Sequence, residues 1–265
     1  MIYKHLLKVS MSLFQKGHLV FLFSVMGLIL SSFQDSPEKA VIYLVGDSTM
    51  SEKEVRSFPE TGWGMPFKSY FSEEVIIENH ARNGRSTRTF IQEGLWEPIV
   101  EELKKGDFVF IQFGHNDEVQ TKPRSTTPEQ YQFYLRQYIS ETRAKNAQPI
   151  LLTPITRRQF DEAGKIKETH LVYSQLMREV AESENVPLID MDRESRNLLS
   201  EFGQEHSKIL YLHLKAGQNP NYPEGLTDNT HFSETGARMM AELVLQGIDE
   251  LNLEMENYIV KKVME

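Results

Sequence analysis

The chain has no cysteine. Disulfides, thiolate nucleophiles, zinc–thiolate sites and iron–sulfur clusters are excluded with it. It has no apolar run of the roughly 20 residues that a membrane-spanning helix needs. Gly-x-Ser-x-Gly, the nucleophile elbow of the α/β-hydrolase fold, is absent, and so is the His-Glu-x-x-His of helical zinc sites. Internal repeats, low-complexity segments and Pro/Gly/Ser-rich linkers are missing too. Basic residues are in deficit: 29 Lys+Arg stand against 38 Asp+Glu, for a net charge of −9. Such a chain is a poor non-specific nucleic-acid binder. What is there is ordinary globular composition, 40% hydrophobic and 25% charged over 265 residues. At about 150 residues per domain that length allows one large domain or two small ones.

The N-terminus reads as a separate object. Leu19 to Leu30 is a nearly continuous apolar run preceded by Lys4, Lys8 and Lys16, and the first acidic residue of the chain is Asp35. A basic region followed by a short apolar run is the pattern of a secretory signal. Met11 offers a second start that gives a more usual signal length. Ser31-Ser32-Phe33 lacks a clean small-x-small cleavage pattern, so an uncut N-terminal anchor stays open, as does a buried core helix. A lipoprotein anchor is excluded without cysteine. The expectation is a signal peptide or anchor over residues 1–34, a domain over 40–265, and a secreted or periplasmic location. Membrane contact then comes only through the N-terminal segment, if it is uncut.

Beyond Ala40, short runs rich in β-branched residues alternate with helical patterns. The apolar runs are Val41–Val45, Val75–Ile77, Phe108–Phe113, Ile150–Leu152 and Val186–Ile189. Nearly continuous apolar strands of this kind are buried on both faces. Pro128 to Asn146 opens with Thr127 as N-cap and Pro128 at the first helical position. Lys167 to Glu184 and Ser233 to Leu251 carry apolar residues on a 3.6 period. The alternation predicts one domain of α/β class, a parallel sheet covered on both sides, with its site at the carboxyl ends of the strands.

Four polar stretches fall at such ends. Gly46-Asp47-Ser48-Thr49 follows the first strand. Alone it reads as a helix N-cap, and its serine equally as an exposed nucleophile. Asn83-Gly84 follows the second strand, either as a plain turn or as a backbone N–H brought close to a ligand. Its flanking arginines suggest a positive patch. Asn116, in Gly114-His115-Asn116-Asp117 after the third, either makes an Asx-turn or donates an amide to an oxyanion. Asp228 and His231 precede the last helix at a spacing that lets the carboxylate orient the imidazole. His80 and His115 read as hydrogen-bonded scaffold. Read together, the stretches make one machine. A serine hydroxyl needs a base, His231 supplies it, and Asp228 holds the base. A tetrahedral intermediate needs donors, and Ser48 N–H, Gly84 N–H and the Asn116 amide supply them.

Gly-Asp-Ser, then Gly, then Gly-x-Asn-Asp, then Asp-x-x-His, in this order, resembles the four-block pattern of the SGNH (GDSL-like) hydrolases, over about Val41 to Ala241. Further stretches resemble the rhamnogalacturonan acetylesterase branch: Gly46–Met50, Gly62-Trp63-Gly64, Arg82–Ser86, Phe113–Asp117, Thr153–Arg158 and Asp228–Ser233. Thr49 stands where the superfamily's name motif has leucine. The resemblance implies a flavodoxin-like, three-layer α/β/α sandwich with a five-stranded parallel sheet. It implies Ser48, Asp228 and His231 as triad, Ser48, Gly84 and Asn116 as oxyanion hole, and no metal or cofactor.

The resulting expectation is an exported esterase that removes O-acetyl groups from rhamnogalacturonan. Its partner would be an acetylated polysaccharide or oligosaccharide, with no nucleic acid and no metal. An acidic protein repels a uronate polymer, and Arg85, Arg88, Arg157 and Arg158 are the candidates for local compensation. Trp63 either stacks on a sugar ring or packs in the core. The alternatives are a deacetylase of xylan or another glycan, a short-chain lipase, and a non-catalytic carbohydrate-binding protein. The last would be expected to lose Ser48, Asp228 or His231.

Overall fold

Residues 39–260 are described by a computed structural model of the chain. The apolar run Leu19–Leu30 and the whole of the expected leader lie outside them. In chain order the elements are β1 (Ala40–Gly46), α1 (Gly64–Phe67), β2 (Val75–Asn79), α2 (Thr87–Gln92), α3 (Glu97–Glu102), β3 (Phe108–Gln112), α4 (Pro128–Ala144), β4 (Gln148–Leu152), α5 (Leu171–Ser183), β5 (Leu188–Ile189), α6 (Met191–His206), β6 (Tyr211–Leu214), β7 (Leu226–Phe232) and α7 (Glu234–Glu250).

Side-chain alternation along the strands sets the layers. Ile42, Leu44, Phe108, Phe110, Ile150 and Leu152 face one way, into a core completed by Phe67, Leu199, Met240 and Val244. Tyr43, Val45, Val109, Ile111 and Leu151 face the other, against Phe90, Ile99, Leu135, Tyr138 and Met177. Helices α1, α6 and α7 therefore cover one face and α2 to α5 the other, and strands apolar on both faces follow from that. The sheet is parallel with order β2-β1-β3-β4-β5. The chain leaves β1 toward β2, then crosses back to β3 on the other side. The crevice at the carboxyl ends of β1 and β3, where the order reverses, is where such sheets take ligands.

The expected cap at Thr127 is present, and α7 has one that the sequence reading did not assign. Thr127 accepts from the Gln130 N–H and is answered by the Gln130 side chain, with Pro128 at N1. Ser233 Oγ accepts from the Gly236 N–H. Three features differ from the sequence reading. Helix α5 begins at Leu171, four residues after Lys167. Helix α6 was not foreseen. Its charged run hides the buried positions Met191, Ser195 and Leu199, and the helix kinks at Gly203, where φ is 67°. The antiparallel hairpin β6–β7 was also missed, because Thr227 to His231 has no apolar alternation to mark it as a strand. Among the described residues no helix is long and apolar enough to cross a membrane.

Trp63 settles into the core at 0% exposure. Its ring meets Phe67 edge-on at 5.3 Å, and its Nε1 donates to Gln112 Oε1 at 2.8 Å. The sugar-stacking role considered for it is therefore corrected: this ring has no face open to a ligand. The backbone here runs against the turn after β1, with Trp63 N–H donating to Thr49 O at 2.9 Å. A Cβ on Gly62 would overlap the Ser51 carbonyl oxygen. Gly62→Ala is expected to lower stability by about 1–3 kcal/mol, the range for overpacking a tight site. A thermal midpoint equal to that of the parent chain would show that the contact relaxes freely.

Candidate active site

Ser48 follows β1 on a single helical turn that is not continued. Met50 N–H and Ser51 N–H both donate to Asp47 O, at 3.3 and 3.1 Å. No helix follows, unlike the strand-to-helix turn expected. The turn is fixed instead by Asp47, which is fully buried beneath it. Asp47 Oδ1 accepts from Thr49 N–H at 3.0 Å and from Thr49 Oγ at 2.9 Å, and its other oxygen lies 3.3 Å from His115 Nδ1. Burial alone would raise this carboxyl. The His115 ring and the Thr49 donors outweigh burial and hold it at about 2.

His231 reaches the serine from the far end of the chain. The turn hydroxyl of Ser48 donates to His231 Nε2 at 2.9 Å across 183 residues of sequence. His231 Nδ1 meets Asp228 Oδ2 at 2.7 Å. A carboxylate only accepts, so Nδ1 carries the proton and Nε2 is left basic toward Ser48. Asp228 Oδ1 takes the Thr230 and His231 N–H groups at 2.7 and 3.0 Å. Burial opposes its charge, but the His231 side chain and these backbone donors prevail and hold the carboxyl at about 2. Asp228 and His231 thus belong to a strand with a bulge, not to a free turn. Leu212 pairs with Asp228 and Tyr211 with Phe232, so Asn229, Thr230 and His231 are extra residues on β7.

The second and third blocks sit beside the serine. Gly84 has φ of 76°, the left-handed region that favours glycine. Among the described residues neither the Ser48 nor the Gly84 N–H has an acceptor. Asn116 is nearly buried, and its Nδ2 donates one hydrogen to Arg85 O at 2.9 Å, next to Gly84. The amide's second hydrogen remains for a ligand.

Sequence reasoning passed over Lys53. Its side chain is fully buried, and its Nζ donates to Ser48 O at 2.5 Å and to Asn83 Oδ1 at 2.8 Å. Glu60 supplies the counter-charge at 2.7 Å. One ammonium therefore clamps the serine turn to the Gly84 turn, and Ser51 Oγ reinforces the clamp with a 2.6 Å bond to Asn83 Oδ1. Burial pushes the ammonium's pKa down, against Glu60. A lysine five residues past a Gly-Asp-Ser carries no signature of its own, so no sequence signal marked it.

The four arginines chosen as substrate binders are largely engaged within the chain. Arg85 pairs with Glu93 at 2.7 Å. Arg157 pairs with Glu118 and reaches His115 O at 3.3 Å. Arg88 holds the carbonyls of Pro123 and Ser125. Arg158 is corrected outright: it is buried, bonded to Ser207 Oγ at 3.0 Å, Asn229 Oδ1 at 3.1 Å and the Gln204 carbonyl. It braces the residue after Asp228 and presents no free charge. Among the described residues no group of three His, Asp or Glu side chains is arranged to hold a metal ion.

The model of the GDSL-like Lipase/Acylhydrolase family matches residues 44–239. The chain is 41% identical over 222 residues to the rhamnogalacturonan acetylesterase RhgT of Bacillus subtilis, covering 83% of this chain and 94% of that protein. It superposes on the crystal structure of B. subtilis YxiM with a TM-score of 0.71 and 26% identity, over 82% of this chain and 58% of that one. An acetylxylan esterase of Geobacillus stearothermophilus, Axe2, shares the fold with a TM-score of 0.59 and 20% identity, over 79% and 94% of the two chains.

Substitutions at Lys53, with Glu60, and at Asn116 separate the roles at this site. Lys53→Met is expected to cost about 2–4 kcal/mol in denaturant unfolding, because it leaves the half-buried Glu60 carboxylate without its cation. Adding Glu60→Gln should restore much of that stability but not kcat, since the tie between Ser48 and Asn83 stays broken. Recovery of kcat along with stability would reduce Lys53 to a structural charge. Asn116→Ala should slow turnover by about 10²–10³-fold, the usual effect of losing one oxyanion donor. Asn116→Asp should be slower still, as it sets a carboxylate against the Arg85 carbonyl and the developing oxyanion. An Asp variant that keeps its activity while the Ala variant only melts earlier would make Asn116 a turn residue alone.

Proposed function

Since the chain belongs to the GDSL-like lipase/acylhydrolase family, we propose that it is an exported serine esterase that removes O-acetyl groups from a pectic polysaccharide of the rhamnogalacturonan type. The family makes it a carboxylic ester hydrolase. The observation that carries the mechanism is the unbroken relay from Asp228 through His231 to Ser48, set beside donors without acceptors.

In this reading Ser48 Oγ attacks the acetyl carbonyl carbon as its proton passes to His231 Nε2. Asp228 keeps the proton on Nδ1 and stabilises the imidazolium that forms. The carbonyl oxygen, neutral before attack and charged after it, takes the Ser48 and Gly84 N–H groups and the free Asn116 hydrogen. Collapse breaks the bond to the sugar oxygen, which leaves with the proton from His231. Water, deprotonated by the same imidazole, then cleaves the acetyl-serine.

One finding supports a glycan over a long acyl chain. RhgT, 41% identical to this chain over 222 residues, is a rhamnogalacturonan acetylesterase. Export is supported by the basic residues and apolar run ahead of Leu30.

Ser48→Ala should retain the fold and lose at least about 10⁴-fold in turnover, since triad members fail together. Acetate release is to be measured from acetylated rhamnogalacturonan and acetylxylan, with a long-chain ester alongside. Faster hydrolysis of the long-chain ester than of either glycan would overturn the polysaccharide reading.

A further inference from the structure

The loop between β3 and α4 brings an arginine to the site that no motif marks. Arg124 Nη1 stands 3.7 Å from the position a Cβ would take on Gly84. The residue is half-buried, and its Nε is buried with no acceptor. No hydrogen bond or ion pair among the described residues includes its side chain.

Its position is built. Arg88 Nη2 grips the carbonyls on both sides of it, those of Pro123 and Ser125. Thr126 is tied to the buried Asp117 through its N–H and its hydroxyl, both at 3.0 Å. Gln120 Nε2 holds the Thr126 carbonyl at 2.8 Å. A loop fixed on three sides carries its one unpartnered guanidinium to the lip of the oxyanion hole.

The absence of a counter-ion is informative in this chain. Carboxylates outnumber cations, 38 to 29, and the neighbouring Arg85 and Arg157 have each been given one. A partly desolvated guanidinium without a partner costs stability. Its planar fork fits a carboxylate through two parallel N–H···O bonds.

We infer that Arg124 is the specificity-determining residue that binds a carboxylate of the substrate, so that the acetyl ester cleaved lies on, or next to, a uronate ring. This rests on the glycan reading above and sharpens it. An ester oxygen at the Gly84 turn and a carboxylate on Arg124 are within the span of neighbouring positions on one short glycan segment. The remaining acidic surface of the protein then selects against polyanions that miss this contact.

The test compares three substrates: an acetylated galacturonate oligosaccharide, the same oligosaccharide with its carboxyls methyl-esterified, and 4-nitrophenyl acetate. Arg124→Gln is expected to lower kcat/KM on the first by about 10- to 100-fold, the range for losing charge-assisted hydrogen bonds, mainly through KM. On the other two substrates it should stay within about twofold of the parent enzyme. Arg124→Lys, which keeps the charge and loses the fork, should fall between. Equal loss on all three substrates would overturn the inference and make Arg124 an aid to the oxyanion. No loss on the free carboxylate would overturn it as well. If the parent enzyme hydrolyses 4-nitrophenyl acetate but releases no acetate from either oligosaccharide, the glycan reading itself fails.

Discussion

The contact between Ser48 Oγ and His231 Nε2 at 2.9 Å joins residues 183 positions apart, and the architecture around the site answers to it. Ser48 comes from the centre of a rigid parallel sheet. His231 comes from a hairpin outside that sheet, so its position has to be fixed by other means. The bulge of β7 pushes Asn229, Thr230 and His231 out of register, and each flank is then pinned. Arg158 N–H holds Asn229 O at 2.8 Å, and His213 holds the Asn229 side chain at 2.9 Å. Thr61 N–H holds Phe232 O at 3.0 Å. Arg158, chosen from sequence as a ligand binder, does its part from inside the protein.

The serine turn lies between two buried charges of opposite sign. Asp47 fixes the N–H of Thr49, and Lys53 fixes the carbonyl of Ser48. An ordinary strand-to-helix turn would be held by the hydrogen bonds of the helix, but here none follows. Ionic ties replace that ladder. They matter for catalysis because two of the proposed oxyanion donors are backbone groups, which are only as well placed as their loops. From Ser48 the ties run through Lys53 and Asn83 to Gly84, and then through Arg85 to Asn116. The three donors are thus set relative to one another before any ester arrives, which in the proposed mechanism lets them favour the charged intermediate over the neutral substrate.

The sheet was legible because its strands are apolar on both faces, α4 because of its Thr127-Pro128 cap, and α7 because of its apolar period. The relay of Ser48, His231 and Asp228 was legible because its residue types follow one another in a fixed order, Gly-Asp-Ser first and Asp-x-x-His last, although the strand that holds the last two was not. What the sequence concealed shares a different character. Strand β7 is made of polar residues whose burial depends on partners, not on pattern. Lys53 and Arg124 look like ordinary surface cations until the fold shows that one is enclosed and the other left without an acid. Arg85, Arg88, Arg157 and Arg158 looked like free charge, yet a string of letters does not say whether a guanidinium faces a glutamate, a carbonyl or a ligand.

Thr49, where the superfamily's name motif has leucine, follows from the same reasoning. Its hydroxyl is shared between Asp47 Oδ1 at 2.9 Å and Gln112 Oε1 at 3.3 Å, and Gln112 Oε1 also accepts from the Trp63 indole at 2.8 Å. A leucine at this position would leave no hydroxyl between the two. A buried indole N–H requires an acceptor, and Gln112 offers it from within β3. Thr49, Gln112 and Trp63 therefore come as a set, and the Gly-Trp-Gly stretch belongs to the support of the Ser48 turn. With Trp63 and Arg158 committed to the interior, the glycan discrimination proposed above has to come from loops outside that network. The loop after β3, which brings Arg124 to the Gly84 turn, is one of them.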